Sequence, residues 1–301
     1  MVASIEPQAI DLPVGVAGSI RADSVPDDED ANARADWIFW VSVAWITLMV
    51  LSALFANLLP LANPHAQLAG KPLSAPGLHN PMGTDVVGHD LFSQVVNGAR
   101  ISMLIAFASV ASGLIVGGTI GLVSGFLRGA VSGVLMWFVD VLLAFPALVF
   151  ALALVAFVGA SLNSVVLVIA MLSIPGYARV ARALTLTYAN QNFVMAARAI
   201  GASPMRLMLR EILPNVIVPL ASFAALGAAV AIIAEGSLAF LGLSAPGSIS
   251  WGNMISQGQD QLADAPQAAI APMMAMFLTI LSLNFIGERL GGVLDPREGQ
   301  L

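Results

Sequence analysis

The sequence predicts an all-α fold: a polytopic membrane bundle of six transmembrane helices. Three observations lead there. Of 301 residues, 58% are hydrophobic and only 10% charged, with a mean hydropathy of +0.88, whereas a soluble domain carries about 25% charged residues. Six stretches approach or exceed the roughly 20 apolar residues that cross a bilayer, at about 37–59, 101–126, 131–158, 162–178, 216–241 and 268–290. Lys and Arg segregate to alternate loops, as the positive-inside rule requires of a multi-span chain.

Residues 1–36 contain Glu6, Asp11, Asp23, Asp27, Asp28, Glu29, Asp30 and Asp36 and few large apolar side chains. Such a segment buries too little surface to offset its ordering entropy, so it reads as a flexible acidic cytoplasmic tail. It lacks the basic start and short apolar core of a signal peptide. The first span, 37–59, opens with Trp37, Trp40 and Trp45, of which the first two suit an interfacial belt. Residues 60–99 read as an extracytoplasmic loop, and 100–293 as a core of five further spans. Residues 294–301 read as a cytoplasmic C-terminal tail.

The second span carries Gly113, Gly117, Gly121 and Gly125, one every four residues. This ridge invites close approach by another helix. Pro146 kinks the third span, and Ile174-Pro175-Gly176 bends the fourth as it leaves the membrane. With the N-terminus inside, Arg21, Arg34, Arg128, Arg179, Arg182, Arg198, Arg206, Arg210, Arg289 and Arg297 fall on the cytoplasmic side. Only Lys71 and Arg100 fall outside.

Between spans four and five lies a basic, patterned stretch at 190–214. Phe193, Ala196, Ala197 and Ile200 share one helical face. Gly201 suits the positive-φ position after a helix end; Ser203 is an N-cap and Pro204 a first helical residue. Met205, Met208, Leu209 and Ile212 repeat the spacing, and Pro214 ends the run. Two short amphipathic helices at an angle are expected. Taken alone, they would rest in the headgroups. Ala196-Ala197 beside the Gly201 break favours close approach by another protein.

Asp140 and Glu235 are ionisable groups inside spans, where they are costly. Either they line a polar path or gate, with Phe145 and Pro146 near the first, or they are carboxylates paired within the bundle, with Arg100 or a backbone donor. Glu288 and Arg289 read as an interface pair. His65, His79 and His89 lie in the outer loop at spacings that match no compact ligand motif, so no metal site is expected. Thr84, Asp85 and Asp90 there shape a turn or contact an external partner. There is no cysteine. No G-x-x-x-x-G-K-[ST], H-E-x-x-H or G-x-S-x-G occurs, which excludes the usual phosphate-binding loop and the common hydrolase centres.

The stretch Ala196-Ala197, Gly201 and Ile212-Leu213-Pro214 resembles the EAA loop of binding-protein-dependent ABC importers. So do "HNPMGTDVVGHDLFSQVVNGARISMLIAF" (79–107), "VDVLLAFPALVFALALVA" (139–156), "IPGYARVARA" (174–183), "SLAFLGLSAPGSISWGNMI" (237–255) and "LDPR" (294–297). Together they are similar to the inner-membrane permease subunit of dipeptide, oligopeptide and nickel importers, of the DppC/OppC type. The resemblance implies a type I importer (MetI-like) fold in a bacterial inner membrane. It implies a translocation path shared with a homologous permease, two cytoplasmic ATPase subunits that hold ATP and Mg, and an extracytoplasmic substrate-binding protein. It gives this chain no cofactor, no nucleic-acid partner and no enzymatic activity of its own. Met195, Ala196, Ala197, Arg198, Gly201, Ala202, Ser203 and Arg206 would then be the ATPase-coupling residues. The loop's leading glutamate is Met195 here, and the family's Gly-Arg-Asp reads Gly88-His89-Asp90. Peptide, nickel and heme all remain open as cargo. An ion-coupled secondary transporter is the rival from another class, with Asp140 in the kinked third span as its best support. A membrane-embedded enzyme would need a nucleophile or metal constellation in the spans, and the sequence offers none.

Overall fold

The structure is a computed structural model and describes residues 28–56, 58, 59, 61, 64, 71–244 and 247–294. Two compact units divide between Ile38 and Phe39. The first contributes the opening turns of α1 (Asp28–Phe55), and the second holds everything that follows. The acidic stretch before Asp28, His65 and residues 295–297 lie outside the described residues. Helix α1 starts nine residues ahead of the expected span, because extending a helix already nucleated by an apolar segment adds one hydrogen bond per residue fixed.

Helix α2 (Leu91–Phe126) is 36 residues long. It begins ten residues before the expected 101, inside what the sequence suggested was loop. The reason is local: Asp90 has extended backbone and its carboxylate accepts from the Ser93 N–H at 2.9 Å, an N-cap that starts the helix above the apolar run. A π turn, Gly113–Gly117, interrupts α2 and Gly118–Phe126 completes it.

Helices α3 (Ala130–Ala144) and α4 (Ala147–Val158) replace the single kinked third span. They meet at 88°. Phe145 and Pro146 both have extended ψ, so the chain leaves one helix before entering the next, and Pro146 opens α4 where its missing N–H is harmless.

Helix α5 (Leu162–Ala189) runs straight past the expected stop at 178. Its N-cap, Ser161, accepts from the Ser164 N–H at 3.1 Å. Pro175 removes one backbone bond, and the packing of α5 on the glycine ridge compensates. A Cβ at Gly117 would stand 2.5 Å from the Ile174 carbonyl oxygen, one at Gly121 would stand 2.8 Å from the Arg182 nitrogen, and one at Gly125 would stand 2.7 Å from Thr185 Cβ. The two backbones come into close contact at Gly117, Gly121 and Gly125. In lipid this close van der Waals approach, rather than water exclusion, holds helices together.

After α6 (Asn192–Ala199), helix α7 (Pro204–Phe240) is continuous for 37 residues. Pro214 does not end it. The π turn Leu207–Ile212 immediately ahead supplies the wider ring that a proline needs in order to follow without breaking the helix. A short helix α8 (Trp251–Gly258) and α9 (Gln267–Leu294) complete the bundle.

Five helices are long and apolar enough to cross a membrane, and the bent α3–α4 pair makes six if it counts as one span. One buried cluster joins α2, α7, α8 and α9 around Trp251, whose Nε1 donates to the Val95 carbonyl at 2.9 Å. Trp45 Nε1 donates to Thr279 Oγ1 at 3.0 Å and ties α1 to α9. Trp37 and Trp40 are exposed, as a belt requires.

Candidate functional site

The basic stretch 190–214 forms the predicted helix–glycine–helix. Helix α6 closes in a Schellman motif. The Ala202 N–H donates to the Ala197 carbonyl at 3.1 Å and the Gly201 N–H to Arg198 at 3.0 Å, with Gly201 at φ 88°. Ser203 then caps α7, accepting from the Arg206 N–H at 3.4 Å, and Pro204 follows at the first helical position.

The anchoring residues differ from the apolar face read in the sequence. Val194, Leu207 and Ile212 are fully or almost fully buried against α5 and the end of α2, in one cluster with Tyr177, Ala181 and Leu122. Of the Phe193, Ala196, Ala197, Ile200 face, only Ala197 is half-buried. Phe193, Ala196 and Ile200 look outward, Ile200 at 83% exposure. Met195, Arg198, Gly201, Ser203, Met205 and Arg206 are exposed beside them, and Ala202 is half-buried. The product is a mount carrying a small-residue and methionine face, flanked by arginines, that the described residues leave uncovered. Val194 was missed because a single β-branched residue between alanines gives little periodic signal.

Asp140 pairs with Arg179, not with Arg100: Nη2 donates to Oδ1 at 2.8 Å. The pair joins α3 to α5 one turn from the Phe145–Pro146 break, and both side chains are more than half exposed, at 58% and 57%. Exposed ion pairs contribute about 0–1 kcal/mol. Asp140→Asn is therefore expected to leave the melting temperature within about 2 °C of wild type. A drop beyond about 5 °C would instead make the pair a structural support.

Glu235 is buried at 3% exposure near the far end of α7. Its buried Oε2 meets no hydrogen-bond partner among the described residues, whereas Ser250 Oγ donates to its Oε1 at 2.5 Å. It thus ties α7 to the start of α8, at a point where the two backbones nearly touch through Gly236 and Gly252. An adjoining cleft of about 420 Å³ is lined by Leu148, Ile233, Ser237, Phe240 and Ile255. One carboxylate oxygen is thus held within the bundle by a serine hydroxyl, not by Arg100, and the other is left without a partner among the described residues.

Thr84, Asp85 and Asp90 are spent inside the outer loop. Thr84 is 0% exposed, accepts from the Ser74 N–H at 2.9 Å, donates to the Lys71 carbonyl, and its backbone bridges to Asp90. Asp85 accepts from the N–H groups of Val87 (2.9 Å) and His89 (2.8 Å), and from Gln94 Nε2 (3.1 Å), and its Oδ2 lies 2.7 Å from His89 Nδ1. Asp90 caps α2. Turn-shaping therefore replaces external contact for Thr84 and Asp90, whose buried side chains face no partner. The pairing also accounts for His89. Among the described residues no group of three or more His, Asp or Glu is placed to hold a metal ion.

Against this geometry the comparisons are decisive. Residues 117–300, which begin in the π turn and include the whole mount, match the binding-protein-dependent transport system inner membrane component family. The chain belongs to that family. It is similar to a glutathione transport system permease protein, GsiD, of Pectobacterium atrosepticum: 33% identical over 287 residues, covering 91% of this chain and 95% of the relative. It is 34% identical over 258 residues to a dipeptide transport system permease protein, DppC, of Alkalihalophilus pseudofirmus, covering 85% of each. The fold is shared with a chain of the inward-facing MetNI methionine ABC transporter, with a TM-score of 0.57 at 17% identity, over 67% of this chain and 96% of that one. The chain is thus an inner-membrane transport component with the MetI-like helical fold expected from its sequence.

Proposed function

We propose that the chain is the permease subunit of an ATP-driven importer for di- or oligopeptides or peptide-like cargo such as glutathione, and that Met195–Arg206 is the helix by which it docks on a cytoplasmic ATPase. The observation that carries this reading is the mount. Val194, Leu207 and Ile212 fix the element to the bundle, while Met195, Ile200, Met205 and two arginines face outward with no cover of their own. A lipid-facing helix needs no glycine break between small residues; a helix seated in a protein groove does. The relatives that carry dipeptide and glutathione in their names support the cargo class.

On this reading the path lies between this chain and a homologous permease, an extracytoplasmic protein delivers cargo, and ATP and Mg²⁺ belong to the two ATPase subunits. Both termini lie in the cytoplasm, in line with the Lys and Arg distribution. ATP-driven closure would move α6 and the start of α7 as one body, and the continuous α7 transmits that motion across the membrane. A switch of this kind needs ATP to bind one of the two arrangements more tightly than the other.

The test is purification of the tagged chain in mild detergent from its native membrane, followed by uptake of labelled dipeptide and glutathione into reconstituted vesicles. Co-purification of an ATPase and a second permease, with uptake that needs ATP, is the expected result. Uptake driven by an ion gradient, with no ATPase present, would move the chain to the secondary transporters. Uptake of Ni²⁺ or heme in place of peptide would keep the importer and change its cargo.

A further inference from the structure

Tyr177 is 2% exposed and sits at mid-length of α5. Its ring is wedged between glycines of two other helices: a Cβ at Gly113 would lie 2.9 Å from Tyr177 Cγ, and one at Gly227 would lie 3.0 Å from Cζ. Phe223 of α7 packs edge-on against it at 5.2 Å and 75°. The Gly113 contact falls in the π turn that interrupts α2, so a wider helical turn faces the ring. Yet the hydroxyl has no hydrogen-bond partner among the described residues. Beside the ring runs a groove of about 200 Å³, lined by Ser173, Gly176, Leu226, Gly227 and Val230, between α5 and α7.

Buried polar groups are almost always satisfied, and one that is not calls for a reason. Packing favours this arrangement, whereas hydrogen bonding opposes it. The hydroxyl bears on Gly227 of α7, the helix continuous with the proposed docking element, and the groove gives α7 somewhere to go. We propose that Tyr177 is a positioning residue for the coupling motion. It wedges α7 in the arrangement seen here, and its hydroxyl gains a partner only when α7 shifts along the glycine-lined groove. The two arrangements are thereby held near balance, so that a modest push from the docking element selects between them. The motion invoked rests on the importer reading; the wedge itself does not.

The experiment compares Tyr177→Phe and Gly227→Ala with wild type, each purified with whatever partners it retains. Tyr177→Phe keeps the ring and removes the orphan hydroxyl, so its melting temperature is expected to rise by about 2–4 °C, with dipeptide uptake slowed severalfold because the alternative arrangement loses its hydrogen bond. Gly227→Ala, which expels the ring, should lower the melting temperature. A hydroxyl that merely supports the fold would give the opposite sign: a melting temperature that falls in Tyr177→Phe overturns the proposal, as does uptake that is unchanged. Melting is read on the chain whatever co-purifies, so absence of an ATPase would sink the importer reading while this arm still decides whether the hydroxyl opposes the packing.

Discussion

On the importer reading, Gly201→Val is expected to cut ATP-driven uptake tenfold or more, while the chain still inserts and folds. Gly201 holds φ 88°, a conformation that L side chains rarely adopt, and no described atom lies within 4 Å of a Cβ built there. The effect of a side chain is therefore on the backbone and on whatever docks, not on neighbours in the bundle. A β-branched residue in the left-handed region costs roughly 1–2 kcal/mol, enough to open the Schellman motif and swing α6 relative to α7. Val194 and Leu207, on either side of the glycine, are anchored separately to the bundle. The strain therefore distorts the surface carrying Ala196, Ala197 and Arg198 without unfolding the spans. Two measurements check it: ATPase recovered with the tagged chain, and uptake in vesicles. If valine is tolerated in both, the docking reading loses its geometric basis. Gly201→Asn, which enters the left-handed region more readily, should retain more activity than valine.

Much of this element was legible before any coordinates. Gly201, Ser203 and Pro204 are chosen by backbone conformation, which is a local matter, so their residue types announce the break, the cap and the restart. What sequence reading lacked was the inward direction. Alanines on every side of α6 blur its amphipathicity, and only the fold shows that Val194 is the buried contact. Prolines misled in both senses. Pro175 was read as a bend and Pro214 as a stop, yet α5 and α7 continue as helices through them, one held by backbone contact with a glycine ridge and the other relieved by a π turn. Pro146, read as a kink, marks a full break of 88°. Whether a proline bends, breaks or passes depends on the packing around it, which a one-dimensional pattern does not contain. Polar partners escape the pattern for the same reason: pairing within the bundle was one of the two readings of Asp140 and Glu235, but Asp140 finds Arg179, 39 positions away, and Glu235 finds Ser250.

The glycine ridge is where sequence and structure agree most fully, and it carries the other large expected effect. Gly121→Leu should remove most of the chain from the membrane or leave it aggregated, whereas Gly133→Leu should leave abundance and melting close to wild type. Both glycines lie inside helices, so both exchanges raise helix propensity, and a propensity argument alone predicts mild stabilisation for each. Packing separates them. At Gly121 a Cβ would stand 2.5 Å from Ala181 Cβ and 2.8 Å from the Arg182 nitrogen, and backbone does not rotate away as a flexible side chain would. At Gly133 no described atom lies within 4 Å. Overpacking costs typically 1–3 kcal/mol and more where the obstacle is rigid, and here it would part α2 from α5 along the seam that supports Val194 and the docking element. Membrane abundance by immunoblot and a detergent melting curve for the two variants are sufficient. Equal abundance would mean that the ridge is not the seam holding α2 to α5. A loss confined to Gly121→Leu would place the support of the docking element in backbone contact rather than in any side chain of the site.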